Sequence, residues 1–276
     1  METELDQSRI DAREALLDAV AALESHSDAA ILVGAQAVYV HTESDSGSFA
    51  VSPFTYDADI ALDPLLLRNA PSIVDAMRGA GFVLGDQPGL YTRDAHHRVD
   101  LLVPAAVGGA GRRGARLSVH GNTAAMKVRG LEGALVSHAW RTIGSLRPGS
   151  ARKCVLKVAG PAALLVAKVH KIWERVGESD EGRREDLHKD AFDLYRLLRV
   201  VDAADIASQI GILQSHEVSS EVTSAALSMF RRLFGGPGDV GTRLVVRHVQ
   251  GLENSDFISA SSVALSQDLL EAASKR

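Results

Sequence analysis

The strand-like segment "TYDADIAL" (residues 55–62) is the feature that most restricts how this chain can fold. Successive side chains of a β-strand point to opposite faces of the sheet, so Asp57 and Asp59 share one face. Only apolar residues occupy the other face: Ala58, Ile60 and Leu62. Neighbouring carboxylates repel each other, and Asp is a poor strand former. The pattern therefore predicts either a functional pair of acids on a half-buried strand, or a solvated edge strand or turn.

A third acid, Asp100, lies in the strand-like segment "HRVDLLVP" (residues 97–104). Burial of its two apolar neighbours would turn Asp100 toward the opposite face. If this strand pairs with the strand of Asp57 and Asp59, three carboxylates meet on one sheet face. Mg²⁺ and Mn²⁺ prefer such oxygen ligands, so the acids predict a divalent-cation site. The alternative for Asp100 is a strand-end residue that caps a turn.

The segment "AAILVGAQAVYVH" (residues 29–41) reads as a short buried strand, Gly34, and then a helix. The first backbone N–H groups of a helix have no partner within it, and together with the helix dipole they favour anions. This junction therefore predicts an anion contact near the first acidic pair.

The character of the sequence changes near residue 158. Strand and helix patterns alternate before it, and helical patterns dominate after it. We therefore predict an α/β (α+β) domain with a mixed sheet over residues 1–158. A mostly helical domain over residues 159–276 is expected to complete the cleft.

Two helices are predicted near the start of the second domain, over residues 161–176 and 185–200. Their short polar connection makes them antiparallel neighbours. At 1.5 Å per residue, Lys168 lies about 12 Å from the turn and Asp190 about 8 Å, so the two lie at similar heights. Asp193 shares the face of Asp190 at i+3 spacing. Charged residues on a helix surface are the alternative.

Composition narrows the class of protein. The net charge of −5 gives no overall attraction to polyanions, and the single Cys154 excludes an intrachain disulfide. The N-terminus is unlike a signal peptide, and no apolar run approaches the roughly 20 residues of a membrane span. We therefore expect a cytoplasmic protein without a membrane partner.

The segment "GAGRRG" (residues 109–114) matches the G-x-G-x-x-G pattern, but the next residues read as a strand and turn. A dinucleotide site needs a helix there. We predict instead a flexible basic loop in which Arg112, Arg113 and Arg116 either contact a nucleic-acid backbone or are merely solvated.

These motifs together resemble a known family. Gly34-Ala35 followed by Thr55-Tyr56-Asp57-Ala58-Asp59 is similar to the signature of the DNA polymerase β-type nucleotidyltransferases. The resemblance is strongest to the AbiEii-type toxin nucleotidyltransferases of bacterial toxin–antitoxin systems and their MenT-like relatives. A helical lysine and a Lys-Asp-x-x-Asp motif, which Lys168 and "KDAFD" (residues 189–193) match, are typical of these toxins. Ala35 departs from the usual Gly or Ser, which removes a hydroxyl contact to phosphate.

The resemblance implies an enzyme that uses Mg²⁺ (or Mn²⁺) to transfer a nucleotidyl group from a nucleoside triphosphate to RNA. The tRNA 3′ end is the expected acceptor, and a cognate antitoxin protein is the expected partner. Asp57, Asp59 and Asp100 would hold the metal, with Asp100 as third ligand or general base. Lys168 would bind the triphosphate, and Asp190 would orient Lys168 or contact the nucleotide. The implied nucleotide-binding set is Gly34, Ala35, Gln36, Thr55 and Lys168.

Two other functions remain open at this point. One is a small-molecule nucleotidyltransferase of the antibiotic-modifying kind, which would use the same site with a different acceptor. The other is a non-catalytic relic that binds a nucleotide or a protein, which the departure at Ala35 permits.

Overall fold

The computed structural model describes residues 2–43, 45, 49, 51–176 and 181–275. The chain divides into two compact units, Met1–Ala37 with Pro53–Ala159 and Val38–Ser52 with Gly160–Arg276. The first unit is a mixed α/β structure and the second is helical. The segment 38–52 thus groups with the C-terminal helices, although it precedes most of the sheet in sequence.

The first unit alternates helices with short strands. In chain order its elements are α1 (Glu2–Ala22), a 3₁₀ helix (Glu24–Ala29), β1 (Ala30–Leu32), the start of α2 (Gly34–His41), β2 (Asp57–Leu62), α3 (Ile73–Gly79), β3 (Val83–Leu84), β4 (Leu90–Thr92), β5 (Arg98–Pro104), a 3₁₀ helix (Ser118–His120), β6 (Met126–Val128), α4 (Glu132–Val136), β7 (His138–Gly144) and β8 (Lys153–Ala159).

The described strands form one mixed sheet in the order β3-β4-β5-β2-β1-β8-β7, with β6 also beside β5. β2 and β5 are parallel neighbours, and their register places Asp57 opposite Arg98 and Asp59 opposite Asp100. β1 is antiparallel to β2 and parallel to β8. The sheet therefore pairs the two acidic strands. This pairing is the condition under which the three carboxylates were expected to meet on one sheet face.

One sheet face is buried as the alternating pattern predicts. The apolar positions of β2 and β5 are 0% exposed: Ala58, Ile60, Leu62, Val99, Leu101 and Val103. Helix α1 packs on β2, β5 and β8. Its buried stripe recurs every three or four residues, as the helical period requires, at Ala12, Leu16 and Ala19.

The second unit contains α5 (Pro161–Arg175), α6 (Glu181–Val200), α7 (Ala203–Ser215), α8 (Ser220–Phe234), α9 (Val240–His248) and α10 (Ser255–Ser274). Pro161 begins α5, where its missing N–H costs no helical hydrogen bond. Helices α5 and α6 pack together, as their short connection predicts. Within the described residues, no helix is both long enough and apolar enough to cross a membrane.

Aromatic contacts explain why the segment 38–52 belongs to the second unit. The Phe49 ring lies 6.1 Å from the ring of Phe192 and 6.5 Å from that of Tyr195, both on α6. The Arg196 guanidinium lies 4.5 Å from the centre of the Phe49 ring and also donates a hydrogen bond to the Val51 carbonyl. These contacts join residues far apart in sequence, so no local sequence pattern predicts them.

Several parts of the first unit differ from the sequence-based expectation, among them β3, β6 and α4, which were not predicted. Residues 115–122, expected as a strand and turn, contain the 3₁₀ helix Ser118–His120. Strand β7 was not predicted. Its central residues 139–142 are exposed on both faces, so they lack the alternation that identifies a half-buried strand.

Candidate active site

Three carboxylates from neighbouring strands come together in the first unit. Asp57, Asp59 and Asp100 each offer an oxygen atom, and these atoms all lie within 4.8 Å of one another. Asp57 and Asp59 are half-buried, and Asp100 is 9% exposed. The parallel register creates this cluster because Asp59 and Asp100 occupy directly opposed positions.

Gly34 lies against the acidic cluster at the beginning of α2. Its φ of +66° is in the left-handed region, which glycine adopts without strain. A Cβ atom at this position would lie only 1.9 Å from Oδ2 of Asp59. The Val33 N–H also donates to the Asp59 carbonyl at 3.0 Å. The strand–glycine–helix junction is therefore adjacent to the acids, as its sequence position suggested.

Thr55 orients one of the acids. Its hydroxyl donates to Oδ1 of Asp57 at 2.9 Å, and the residue is 1% exposed. Thr55 was predicted to contact a nucleotide. The structure places its hydroxyl on the carboxylate of Asp57, where it restricts the rotation of that group.

The Gln36 side chain supports the backbone beneath the acids. Its amide nitrogen donates to the carbonyls of Asp57 and Ala12 at 3.1 and 2.9 Å, and its oxygen accepts from Arg13 Nε at 2.9 Å. Gln36 is 3% exposed and Ala35 is 4% exposed. Both were predicted to bind a nucleotide. The side-chain amide of Gln36 is used within the protein.

Arg98 is a site residue that the sequence analysis missed. Its Nε and Nη2 groups donate to the two carboxylate oxygens of Asp100 at 3.2 and 3.0 Å. Burial opposes the charged form of Arg98, but the hydrogen bond to Asp100 and the nearby acid charges outweigh it and raise the pKa of the guanidinium. The signal was available, since residues two apart on a strand share a face.

The donor set of the acidic cluster fits Mg²⁺ or Mn²⁺. Carboxylates from two strands supply the hard oxygen ligands that these cations prefer, and a bound cation would offset their mutual repulsion. Close approach of Asp59 to the α2 start depends on the missing side chain of Gly34. Asp57, Asp59 and Asp100 are therefore the residues that would hold a cation.

The second unit contains a separate buried ion cluster between α5 and α6. Lys168 Nζ lies 2.7 Å from Oδ1 of Asp190 and 2.8 Å from Oδ2 of Asp193. Lys171 Nζ lies 2.8 Å from the other oxygen of Asp190. The helix heights predicted that Lys168 and Asp190 lie at similar heights, and the structure adds Asp193 as a second partner of Lys168.

Charge complementarity keeps this cluster ionised. Burial favours the neutral form of Lys168, but the two carboxylates outweigh it and raise the pKa of the lysine. Burial likewise opposes ionisation of Asp190, and the lysines Lys168, Lys171 and Lys189 outweigh it and lower the pKa of Asp190. Lys168 is 5% exposed, whereas the Lys171 side chain is 42% exposed. Of these two lysines, Lys171 is the one that solvent reaches.

Lys127 donates hydrogen bonds to carbonyl groups of the basic loop, residues 109–116. Lys127 Nζ donates to the carbonyls of Gly109 and Gly111, and the Lys127 N–H donates to the Arg113 carbonyl. The side chains of Arg112, Arg113 and Arg116 are exposed. The loop therefore presents its arginines to solvent.

Comparison with family models and with curated proteins identifies no similar protein. The sequence matches no model of a known protein family, and a search of curated proteins finds no match. Functional inference therefore rests on the acidic cluster of the first unit, the ion cluster of the second and the motifs that contain them.

Proposed function

We propose that this chain is a divalent-cation-dependent nucleotidyltransferase. The observation that carries this proposal is the cluster of Asp57, Asp59 and Asp100 beside the beginning of α2. Carboxylates that hold a cation next to a helix N-terminus form a site suited to a polyphosphate. The motif resemblance to the polymerase β-type nucleotidyltransferases supports the same function.

Each residue has a role that follows from its place in the cluster. Asp57 and Asp59 hold the cation, and Thr55 keeps the Asp57 carboxylate oriented. Asp100 is the third ligand or accepts the proton of the attacking hydroxyl, which requires hydrogen-bond distance. A bound Mg²⁺ supplies charge neutralisation and lowers the pKa of an attacking hydroxyl. Ala35 has no hydroxyl, so residue 35 can offer a phosphate its backbone N–H group but no side-chain donor.

The ion cluster of the second unit has a more limited role in this proposal. Lys168 is engaged by Asp190 and Asp193, so we assign it to holding α5 and α6 together. The Lys171 side chain is 42% exposed, so we assign any contact of this cluster with a phosphate to Lys171.

We further propose that the acceptor is RNA, with the tRNA 3′ end as the first candidate, and that the protein is the toxin of a toxin–antitoxin system. The motif resemblance supports this assignment. The exposed loop arginines are consistent with it, because they would contact phosphates without reading bases.

The proposal is tested with the purified chain, each of the four α-³²P-labelled nucleoside triphosphates, Mg²⁺ or Mn²⁺, and total RNA. We expect label to be transferred to RNA by the wild type and by the exposed control Asp86→Asn, but not by Asp57→Asn or Asp59→Asn. Urea unfolding verifies that each variant is folded. Transfer that persists in excess EDTA would contradict the metal role. Label transferred to an aminoglycoside but not to RNA would identify the small-molecule enzyme instead.

A further inference from the structure

Arg98 lies on the acidic face of the sheet without being one of the acids. It faces Asp57 across the parallel β2–β5 pair and precedes Asp100 by two residues. Its guanidinium binds both oxygens of Asp100, and its side chain is still 44% exposed. Among the described residues, its Nη1 group has no hydrogen-bond partner. The Nε and Nη2 groups of Arg98 therefore bind Asp100, while its Nη1 group keeps donors available to another partner.

The charges explain why an arginine occupies this position. Three carboxylates with oxygens within 4.8 Å of one another repel strongly unless a cation is present. The positive charge of Arg98 offsets part of this repulsion in the cation-free protein. A divalent cation that binds the same acids is repelled by Arg98 and competes with it for Asp100. Once the cation displaces it from Asp100, Arg98 is a positive group with unpaired N–H donors next to the occupied cation site.

We propose that Arg98 exchanges partners when the site is loaded. It binds Asp100 in the cation-free protein, and it binds a phosphate oxygen of the triphosphate once the cation and the substrate are bound. Arginine suits both partners, because its planar guanidinium matches carboxylate and phosphate oxygens equally well. This role rests on the proposed nucleotidyltransferase function and adds a substrate-binding residue to it.

Two binding measurements on the full chain test the exchange, and neither requires turnover. The first is titration with Mn²⁺ alone, followed by electron paramagnetic resonance. Arg98→Gln removes the charge and keeps a hydrogen-bond donor toward Asp100. Loss of a unit positive charge beside a divalent cation should tighten Mn²⁺ binding at least about tenfold.

The second measurement is titration with inorganic tripolyphosphate at saturating Mg²⁺. Here Arg98→Gln should bind about tenfold more weakly, because a charged hydrogen bond to phosphate is lost. Arg98→Lys keeps the charge but not the bidentate geometry. It should bind Mn²⁺ like the wild type and bind tripolyphosphate with intermediate affinity.

Arg78→Ala is the matched control, because Arg78 forms an exposed ion pair with Asp75 at 3.2 Å on α3. Both affinities should match the wild type in that variant. If Arg98→Gln leaves either affinity unchanged while Asp57→Asn abolishes Mn²⁺ binding, the exchange is wrong and the cation site stands. If wild type and Asp57→Asn show the same Mn²⁺ binding, the proposed function itself fails, and the role of Arg98 fails with it.

Discussion

A Cβ atom on Gly34 would lie 1.9 Å from Oδ2 of Asp59, so the first residue of α2 and the acid of β2 are packed without room for a methyl group. The positive φ of Gly34 adds a conformational reason for glycine at this position. Asp59 cannot keep its observed carboxylate position if residue 34 carries any side chain. The placement of the acid therefore depends on a residue 25 positions earlier.

Gly34→Ala is predicted to weaken cation binding as well as stability. The carboxylate of Asp59 must move to admit the new methyl group, so Mn²⁺ affinity should fall at least about tenfold. Gly149→Ala is the matched control, since Gly149 has a similar φ of +76° and open space around it. It should lower the free energy of unfolding by only about 1–2 kcal/mol, the cost of a left-handed alanine. Equal Mn²⁺ affinity in the two variants would show that Asp59 does not bind the cation.

The Thr55 hydroxyl is predicted to set cation affinity through Asp57. Thr55→Val has nearly the same shape but cannot donate to Oδ1 of Asp57, and it should weaken Mn²⁺ binding about tenfold. Thr55→Ser restores the hydroxyl and should recover most of the affinity. Calorimetric titration of both variants provides the measurement. Full affinity in Thr55→Val would indicate that the hydroxyl serves only the fold.

Lys168 is predicted to matter first for stability. Lys168→Met leaves Asp190 and Asp193 buried without their main counter-ion, which should cost about 3–5 kcal/mol of unfolding free energy. Adding Asp190→Asn and Asp193→Asn should recover part of this loss. The half-exposed Lys171 is the control, and Lys171→Ala should cost about 1 kcal/mol or less.

Urea unfolding and tripolyphosphate titration of these variants separate the two possible roles of Lys168. A Lys168→Met variant that keeps its stability but loses tripolyphosphate binding would assign Lys168 to direct contact with the substrate. Loss of tripolyphosphate binding in a stable Lys171→Ala variant would support the assignment of that contact to Lys171.

His248 is predicted to make stability fall in acid. Burial lowers the pKa of His248 to about 4, and its ring lies 4.9 Å from that of Phe192. The unfolded chain takes up the proton near pH 6.5, so this contribution is complete above that pH and is lost as pH falls toward 4. The wild type should lose about 2–3 kcal/mol more than His248→Gln between pH 7 and pH 4. Urea unfolding of both proteins at the two pH values provides the comparison, and equal losses would contradict the pKa shift.

The loop arginines are predicted to act on the acceptor and not on the triphosphate. Replacing Arg112, Arg113 and Arg116 by Ala should reduce RNA modification together with its salt dependence, because each phosphate contact releases counterions. Tripolyphosphate binding should be unchanged. An RNA reaction of normal rate and salt dependence in this triple variant would remove the loop from acceptor binding.

The alternation of apolar and polar residues predicted much of how the side chains of β2 and β5 are arranged. The alternation in β2 and β5 correctly indicated one fully buried face, because the period of a strand is independent of its neighbours. It also put Asp57 with Asp59 on one face. It did not indicate that Ala61 and Leu102, on the same face as the acids, are buried as well. The spacing of Arg98 from Asp100 was equally readable, but an arginine near a strand end has many uses, so sequence alone does not single it out.

The local sequence pattern predicted neither strand β7 nor the grouping of the segment 38–52 with the second unit. β7 is exposed at the centre of both faces, and Phe49 owes its position to aromatic residues of α6. The partners of Phe49 are distant in sequence, so hydrophobic periodicity cannot indicate them. Strand β7 pairs with the next strand, β8, and is missed because its exposed centre lacks alternation.

The sequence by itself determined the class of elements, the position of the change from sheet to helices, and the face on which each acid lies, since these follow from the periods of strand and helix. Only the tertiary structure decided that β5 pairs with β2 in parallel with Asp100 opposite Asp59, and that Gly34 lies against the resulting cluster. Strand order and register are non-local, because a shift of one residue would turn every acid to the other face. Burial of Lys168 against Asp190 and Asp193 was likewise settled by packing, since helical spacing gives a side chain its direction but not the surface that covers it.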